Sequence, residues 1–152
     1  MRRRDLEIVD LQQIEGVLEA GRFCRLAMVD SGMPYVVPMC FGYEDGRLFL
    51  HSAPCGRKID VLRRDGRVCF EVTAEAEVLV PSDPCEATVR YSCVIGTGTA
   101  RMLEDQEEKR HALSVLAGHY LRQGIELGSG ALGTVAVIEV AVESMTGKRN
   151  PG

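Results

Sequence analysis

The chain has 152 residues, 45% of them hydrophobic, which predicts a single globular domain over residues 1–152 with a hydrophobic core of its own. Its 18 basic and 22 acidic residues leave a net charge of −4, which argues against a general nucleic-acid-binding protein. No apolar run reaches the roughly 20 residues of a membrane-spanning helix, and none follows the N-terminal arginines as in a secretory signal, so we expect a cytoplasmic protein without a membrane partner.

Apolar periodicity and turn residues divide the chain into three helices and six strands. Asp10 is suited to cap the first helix and Gly21 to end it, and turn residues at 30–32 and 44–46 separate the first three strands into two hairpins. The predicted elements, in chain order, are a helix over 10–20, strands over 22–29, 34–43 and 47–52, a helix over 56–65, strands over 67–80 and 88–103, a helix over 105–122 and a strand over 134–142. A glycine-rich loop is expected over 124–133.

The order of these elements predicts the fold class. Strands follow one another in hairpins instead of alternating with helices, which favours an antiparallel sheet. Gly96 and Gly98 lie inside a long strand pattern and indicate a bulge or bend, as at the corner of a barrel. We therefore predict a mainly β protein with flanking α-helices, built as a small closed antiparallel barrel of six strands.

Cysteines and histidines give no metal motif. The six cysteines form no C-x-x-C pair, so free thiols are expected. His111 and His119 lie eight residues apart on the third predicted helix without acidic ligands nearby, and we expect them to be surface or packing residues. Cys55 lies in a loop beside two cations, which lower the pKa of a nearby thiol. The residues leave open whether Cys55 is reactive or a bystander.

The segment over 51–58 carries the clearest functional signal, and it reads His-Ser-Ala-Pro-Cys-Gly-Arg-Lys. It joins an apolar strand to a helix, so Arg57 and Lys58 fall at a helix start, where free N–H groups add positive potential. A guanidinium fork and an ammonium at such a place favour a phosphate. The alternative is a solvated helix face, because the usual glycine-rich nucleotide motifs are absent. His51, at the strand end, is suited to hydrogen-bond a cofactor or to transfer a proton.

Pro38 is the second functional signal. A proline cannot donate to a sheet, so Pro38 inside the strand over 34–43 predicts an edge strand. Such an edge leaves backbone N–H and C=O groups free to pair with a flat heterocycle. An ordinary edge strand is the alternative.

Several segments, taken together and in this order, carry a family resemblance. They are 21–27, 34–43 (PYVVPMCFGY), 48–53 (LFLHSA), 56–60 (GRKID), 68–72 (VCFEV), 91–96 (YSCVIG) and 146–148 (TGK). They cover nearly the whole chain, which resembles the pyridoxamine 5′-phosphate oxidase-like split-barrel flavoproteins, in the branch related to nitroimidazole-resistance proteins.

The resemblance implies a six-stranded antiparallel split barrel that forms a homodimer, with FMN in the groove between the subunits. It implies that Arg57 and Lys58 hold the FMN phosphate, and that His51 and Ser52 lie near the phosphate and the ribityl chain. The other implied cofactor-binding positions are the backbone of Val36, Val37, Pro38 and Met39 along the isoalloxazine ring, Glu71 on the neighbouring strand, which also carries Val72, and Tyr91 and Ser92, which reach towards the partner's site. His51 is also the implied catalytic residue.

The function implied by the resemblance is that of an FMN-dependent oxidoreductase with a small-molecule substrate or electron donor, such as a nitroreductase. Two alternatives stay open: a non-catalytic flavin-binding or redox-sensing module, and a split barrel that binds haem or a deazaflavin instead of FMN. The chain has no tryptophan, so relatives that cover the flavin with a tryptophan are not matched. It has no recognisable residues for the substrate phosphate of pyridoxamine phosphate oxidases, so oxidation of vitamin B6 is not expected.

Overall fold

The computed structural model describes residues 3–121 and 134–152. The predicted loop over 124–133 lies outside the described residues, as does Arg122 at the predicted end of the third helix. The helices are α1 (Leu11–Ala20), α2 (Arg57–Arg64) and α3 (Gln106–Leu121), with short 3-10 turns at Arg4–Leu6 and Pro84–Glu86. The strands are β1 (Glu7–Ile8), β2 (Cys24–Asp30), β3 (Met33–Met39), β4 (Phe41–Glu44), β5 (Arg47–Ser52), β6 (Arg67–Leu79), β7 (Thr88–Met102) and β8 (Ala136–Asn150).

These strands form one antiparallel sheet in the order β3-β2-β6-β7-β8-β5-β4, with β1 attached to β8. The two outermost strands, β3 and β4, are consecutive in the chain and separated by Cys40 alone. One residue spans only a few ångströms, so the two ends of the sheet meet and the sheet curls into a barrel that is open between β3 and β4. This is the mainly β split barrel with helices outside it that the family resemblance implies. The closed barrel predicted from the element order was wrong, because β3 and β4 do not pair in the described residues.

The predicted number of strands was wrong, since the described residues form eight. The expected strand over 34–43 is two strands, because Met39 still pairs with Cys24 of β2 whereas Phe41 already pairs with Leu50 of β5. The two-residue strand β1 is too short to show any periodicity in the sequence. The last strand also runs further than predicted, to Asn150.

Apolar side chains alternate along the strands and fill the barrel. On β6, Val68, Phe70 and Val72 point inward and are buried, as their alternation predicts. Helices α1 and α2 close the barrel with one apolar face each, formed by Ile14, Val17, Leu18, Ile59, Val61 and Leu62. The ends of α1 are as expected, because the Asp10 carboxylate accepts from the backbone N–H of Gln12 at 3.4 Å and the Gly21 N–H donates to the Val17 and Leu18 carbonyls.

Helix α3 packs outside the barrel against β4 and β5. Its approach is close at Gly42, where an added Cβ would lie 2.8 Å from the backbone of Leu116. At its C-terminal end, the Tyr120 hydroxyl accepts from the Phe41 N–H at 3.1 Å and donates to the Arg22 carbonyl at 2.7 Å. These contacts fasten α3 to the start of β4.

Candidate functional site

The side chain of Arg57 is held by the β2–β3 hairpin. Helix α2 begins directly after Gly56, whose φ of +115° suits glycine. The Nε of Arg57 donates to Oδ2 of Asp30 at 2.7 Å, at the end of β2. The Arg57 guanidinium also lies over the ring of Tyr35 on β3, with Cζ 4.3 Å from the ring centroid. The predicted phosphate ligand is therefore placed by three elements: β2, β3 and α2.

Asp30 binds a second arginine as well. Its Oδ1 accepts from Nη2 of Arg64 at 2.8 Å, and its side chain is only 16% exposed, whereas the two arginine side chains are more than half exposed. The guanidinium of Arg57, and then that of Arg64, holds the pKa of the Asp30 carboxyl below its ordinary value. Sequence reasoning missed Asp30 and Tyr35 as site residues; the only signal was an acidic residue at the end of a strand.

Lys58 and the first turn of α2 supply further positive potential. Lys58 is half-buried, and no hydrogen bond or ion pair joins its ammonium to another group in the described ranges. The N–H groups of Ile59 and Asp60 donate to the Gly56 carbonyl, which leaves the N–H groups of Arg57 and Lys58 without an acceptor in the part of the chain that the structure describes. This is the local arrangement in which a helix start can bind an anion.

His51 and Ser52 end β5, next to the four-residue connection to α2. They pair with Val137 and Ala136 of β8. His51 is exposed, and its ring has no hydrogen-bond partner within residues 3–121 and 134–152. His51 and Ser52 thus lie six and five residues before Arg57 in the chain, and within the described residues no hydrogen bond or ion pair joins either side chain to Arg57.

Strand β3 is an edge strand, as Pro38 predicts. Within the described chain its one strand partner is β2, where Pro38 lies opposite Arg25 and Val36 opposite Ala27. Val36 and Pro38 point outward, and Val36 is 54% exposed, whereas Val37 is half-buried and Met39 is buried against the core. In the described part of the chain, the outer edge of β3 is therefore left unpaired.

Glu71 lies on the same outer face of the sheet as Pro38. Arg25 stands between the two in the strand register, and its Nη1 donates to Oε2 of Glu71 at 2.7 Å. The other carboxylate oxygen of Glu71 accepts from the Thr73 hydroxyl. Val72 points inward instead, into the core. Both oxygens of Glu71 are therefore occupied by protein groups.

A groove of about 450 Å³ runs along this outer face. It is lined by residues of β2, β3, β6 and β7, among them Ala27, Val29, Pro34, Cys69 and Thr97. Its walls are mostly apolar, and it lies beside the edge strand and the β2–β3 turn that binds Arg57. Tyr35, on which Arg57 stacks, alternates to the other face of β3 and packs against the core, so β3 lies between the groove and the Arg57 guanidinium.

Tyr91 and Ser92 lie elsewhere in the same chain. Tyr91 pairs with Ala76 of β6, whereas Ala27, the partner of Val36, pairs with Cys69. From Cys69 to Ala76 the strand extends about 23 Å at 3.3 Å per residue. Tyr91 packs against Lys148, whose Nζ is 5.3 Å from the ring centroid, and Ser92 is buried near α1. One chain therefore does not bring Tyr91 and Ser92 to Arg57.

The histidines of α3 have packing partners. His111 Nε2 lies 2.7 Å from a carboxylate oxygen of Glu44, and His119 Nε2 lies 2.7 Å from the Gly21 carbonyl. Within the described residues, no group of three or more His, Cys, Asp or Glu side chains is arranged to hold a metal ion. In the same residues, no helix has the length and apolar character needed to cross a bilayer.

The six cysteines differ in burial. All six are free thiols. Burial raises the pKa of the Cys24 thiol to about 12, whereas Cys55, in the loop before α2, is exposed.

The chain is similar to known proteins over most of its length. Residues 10–149 match the family model described as pyridoxamine 5′-phosphate oxidase. An uncharacterized protein of Rhizobium meliloti is 31% identical over 115 residues, which are 73% of this chain and 69% of that protein. A solved structure of a candidate 5-nitroimidazole antibiotic resistance protein from Bacteroides thetaiotaomicron is 37% identical, with a TM-score of 0.84 over 94% of this chain and 86% of that one. An FAD-binding protein from Mesorhizobium loti is 26% identical, with a TM-score of 0.67 over 93% of this chain and 96% of that one.

Proposed function

Because this chain belongs to the pyridoxamine 5′-phosphate oxidase family, we propose that it is an FMN-binding flavoprotein that acts as an oxidoreductase. The observation that carries the proposal is the fixed guanidinium of Arg57, next to Lys58 and the free N–H groups at the start of α2. A similar protein that binds FAD and another described with nitroimidazole resistance support a flavin and a reductive reaction.

The phosphate end of FMN fits the start of α2. Arg57 would bind the phosphate oxygens with its Nη atoms, Lys58 would add a point charge, and Ser52 would donate its hydroxyl from the end of β5. A phosphate dianion at this place would also meet the N–H groups of Arg57 and Lys58, which have no acceptor among the described residues.

The flavin ring fits the open edge of β3 and the groove on the outer face. The backbone of residues 36–39 would pair with the polar edge of the ring, and the apolar walls of the groove would contact its faces. Glu71 would act through Arg25, because both of its carboxylate oxygens are already bonded to protein groups.

We propose that a second copy of the chain completes this site. The outer face exposes apolar side chains beside the groove, including Val36 and the 48% exposed Ile95. Tyr91 and Ser92 are too far along the sheet to reach the Arg57 of their own chain, so in a homodimer they would serve the site of the partner. Size-exclusion chromatography with light scattering tests this, and a monomer that binds FMN fully would contradict it.

When bound, FMN would supply two-electron redox chemistry. His51 would donate a proton to the reduced substrate, because its imidazole is exposed at the end of β5 and an imidazole can act as a general acid. A nitroaromatic compound is the proposed substrate class, with a reduced nicotinamide as the electron donor.

The absorption spectrum of the purified full-length protein tests the cofactor. Bound flavin is expected as a band near about 450 nm, with FMN identified by mass after release. A Soret band without flavin absorption, or a released deazaflavin, would overturn the FMN proposal. Bound FMN with no turnover of any nicotinamide and nitro acceptor would instead show a storage or sensing module.

A further inference from the structure

We propose that Asp30 is a positioning residue of the phosphate site, which acts by holding Arg57 and Arg64. This inference rests on the proposed function, because the anion in question is the FMN phosphate. None of the segments that carry the family resemblance includes Asp30, and its contact with the two arginines exists only in the folded chain.

Asp30 is itself well anchored. It is the last residue of β2, and the tight turn that follows has positive φ angles at Ser31 and Gly32 (+54° and +85°) before the chain returns along β3. Its side chain is only 16% exposed, and each of its two oxygens accepts from a different arginine. A carboxylate in this position can fix other side chains because its own freedom is small.

Arg57 is restrained on three sides and still open on the fourth. Its backbone starts α2, its Nε is bound by Asp30, and one face of its guanidinium lies on Tyr35. Within the described residues, Nη1 and Nη2 of Arg57 have no hydrogen-bond acceptor. The side chain is 57% exposed, so this end of the fork faces solvent and is available to two phosphate oxygens.

Arg64 is drawn to the same carboxylate from the other end of α2. Its Nε donates to the Asp60 carbonyl at 3.2 Å and its Nη2 to Asp30 at 2.8 Å. Two guanidiniums therefore bind one carboxylate, and Lys58 follows Arg57 in the chain with an ammonium that has no ion-pair partner among the described residues. The positive charge exceeds the charge of Asp30, and the surplus favours an anion with two negative charges.

A purely neutralising role for Asp30 predicts the opposite result from a positioning role. If Asp30 only offsets the arginines, its removal exposes more positive charge and FMN should bind more tightly. If Asp30 positions Arg57, its removal frees the guanidinium to move, and the entropy of fixing it must be supplied by FMN binding. The sign of the change in affinity separates the two roles.

The test is a set of fluorescence-quenching titrations of the full chain, freed of any co-purified flavin, with FMN and with riboflavin, which lacks the phosphate. For Asp30→Ala we expect about tenfold weaker FMN binding and riboflavin binding within about twofold of the unchanged protein. Asp30→Asn keeps the shape and one acceptor oxygen, so it should fold normally and lose less. Glu108→Ala is the matched control, because Glu108 of α3 also accepts two hydrogen bonds from an arginine, Arg101 of β7. This variant should change the affinity for neither FMN nor riboflavin.

A double-mutant cycle with Arg57→Ala distinguishes a positioning role of Asp30 from a merely structural one. Only the positioning role predicts that the effects of the two substitutions on FMN affinity are not additive. Asp30→Ala should cost little further FMN affinity once Arg57 is gone. The inference is overturned if Asp30→Ala binds FMN as tightly as the unchanged protein or more tightly. It is also overturned if the affinity for riboflavin falls as much as the affinity for FMN, or if Asp30→Ala lowers FMN affinity equally in the presence and in the absence of Arg57→Ala. An unchanged protein that binds neither ligand overturns the proposed function, and with it this inference.

Discussion

The guanidinium of Arg57 stacks on the ring of Tyr35, with Cζ 4.3 Å from the ring centroid. The two residues are 22 positions apart in the chain and meet because α2 folds back over the β2–β3 hairpin. The contact gives Tyr35 a part in the proposed phosphate site, although it carries no charge.

Replacement of Tyr35 should therefore weaken FMN binding selectively. A cation–π contact at an exposed site contributes about 0.5–1 kcal/mol, so Tyr35→Leu should raise the Kd for FMN about two- to fivefold. Tyr35→Phe keeps the aromatic face and should bind as the unchanged protein does. Titration of the three proteins decides this, and an equal loss in the Phe variant would assign the effect to the hydroxyl instead.

Removal of a phosphate ligand should have a larger effect. Arg57→Ala and Lys58→Ala should each weaken FMN binding by about 1.5–3 kcal/mol, or roughly 10- to 150-fold, because each removes a charge-assisted hydrogen bond. Arg63→Ala, an exposed arginine of the same helix without a partner in the described residues, is the matched control and should leave the Kd unchanged. Similar losses in all three variants would mean that general charge, not a specific site, attracts the ligand.

His51 should separate cofactor binding from catalysis. We expect His51→Ala to retain its FMN but to reduce a 5-nitroimidazole about 100-fold more slowly, because the proton donor is missing. His51→Gln keeps a hydrogen-bonding side chain without a titrating group and should be equally slow. Stopped-flow reduction rates and flavin content measure the two properties. A variant with normal rates and normal flavin content would remove His51 from the site.

The packing of α3 on β4 should be sensitive to a single methyl group. Gly42→Ala places a Cβ 2.8 Å from the Leu116 backbone and should lower the free energy of unfolding by about 1–3 kcal/mol. Gly118→Ala, on α3 itself with free space around the position, should raise it by about 0.5–1 kcal/mol. Urea unfolding followed by circular dichroism measures both. Equal stability of the two variants would contradict the close approach of α3.

The ion pairs of Asp30 with Arg57 and Arg64 should also affect how the stability of the protein depends on pH in acid. The pKa of Asp30 is lower in the folded chain than its ordinary value of 3.8. A lowered pKa means that the ion pairs stabilise the fold fully above that value and are lost as the pH falls through the folded pKa. Asp30→Asn should thus be less stable than the unchanged protein at pH 6, with the difference shrinking below about pH 4. A difference that stays constant into acid would assign it to shape, not charge.

The sequence predicts what depends on neighbours in the chain and misses what depends on topology. Asp10 and Gly21 at the ends of α1, and the Arg57–Lys58 pair at the start of α2, could be found because each signal is local. The contact of Arg57 with Asp30 joins residues 27 positions apart and exists only after β2 and α2 have packed. The division at Cys40 was missed for a similar reason, since residues 34–43 form one apolar run whose halves pair with different strands.

The single residue between β3 and β4 has a mechanical consequence. The Cα atoms of Met39 and Phe41 cannot lie more than about 7.6 Å apart, given 3.8 Å per trans peptide. The Phe41 N–H is bonded to the Tyr120 hydroxyl, so the last turn of α3 is tied to β4 within two residues of the open edge of β3. A displacement of the C-terminal end of α3 would therefore move the start of β4 and, through Cys40, the end of β3, which is the strand that borders the groove.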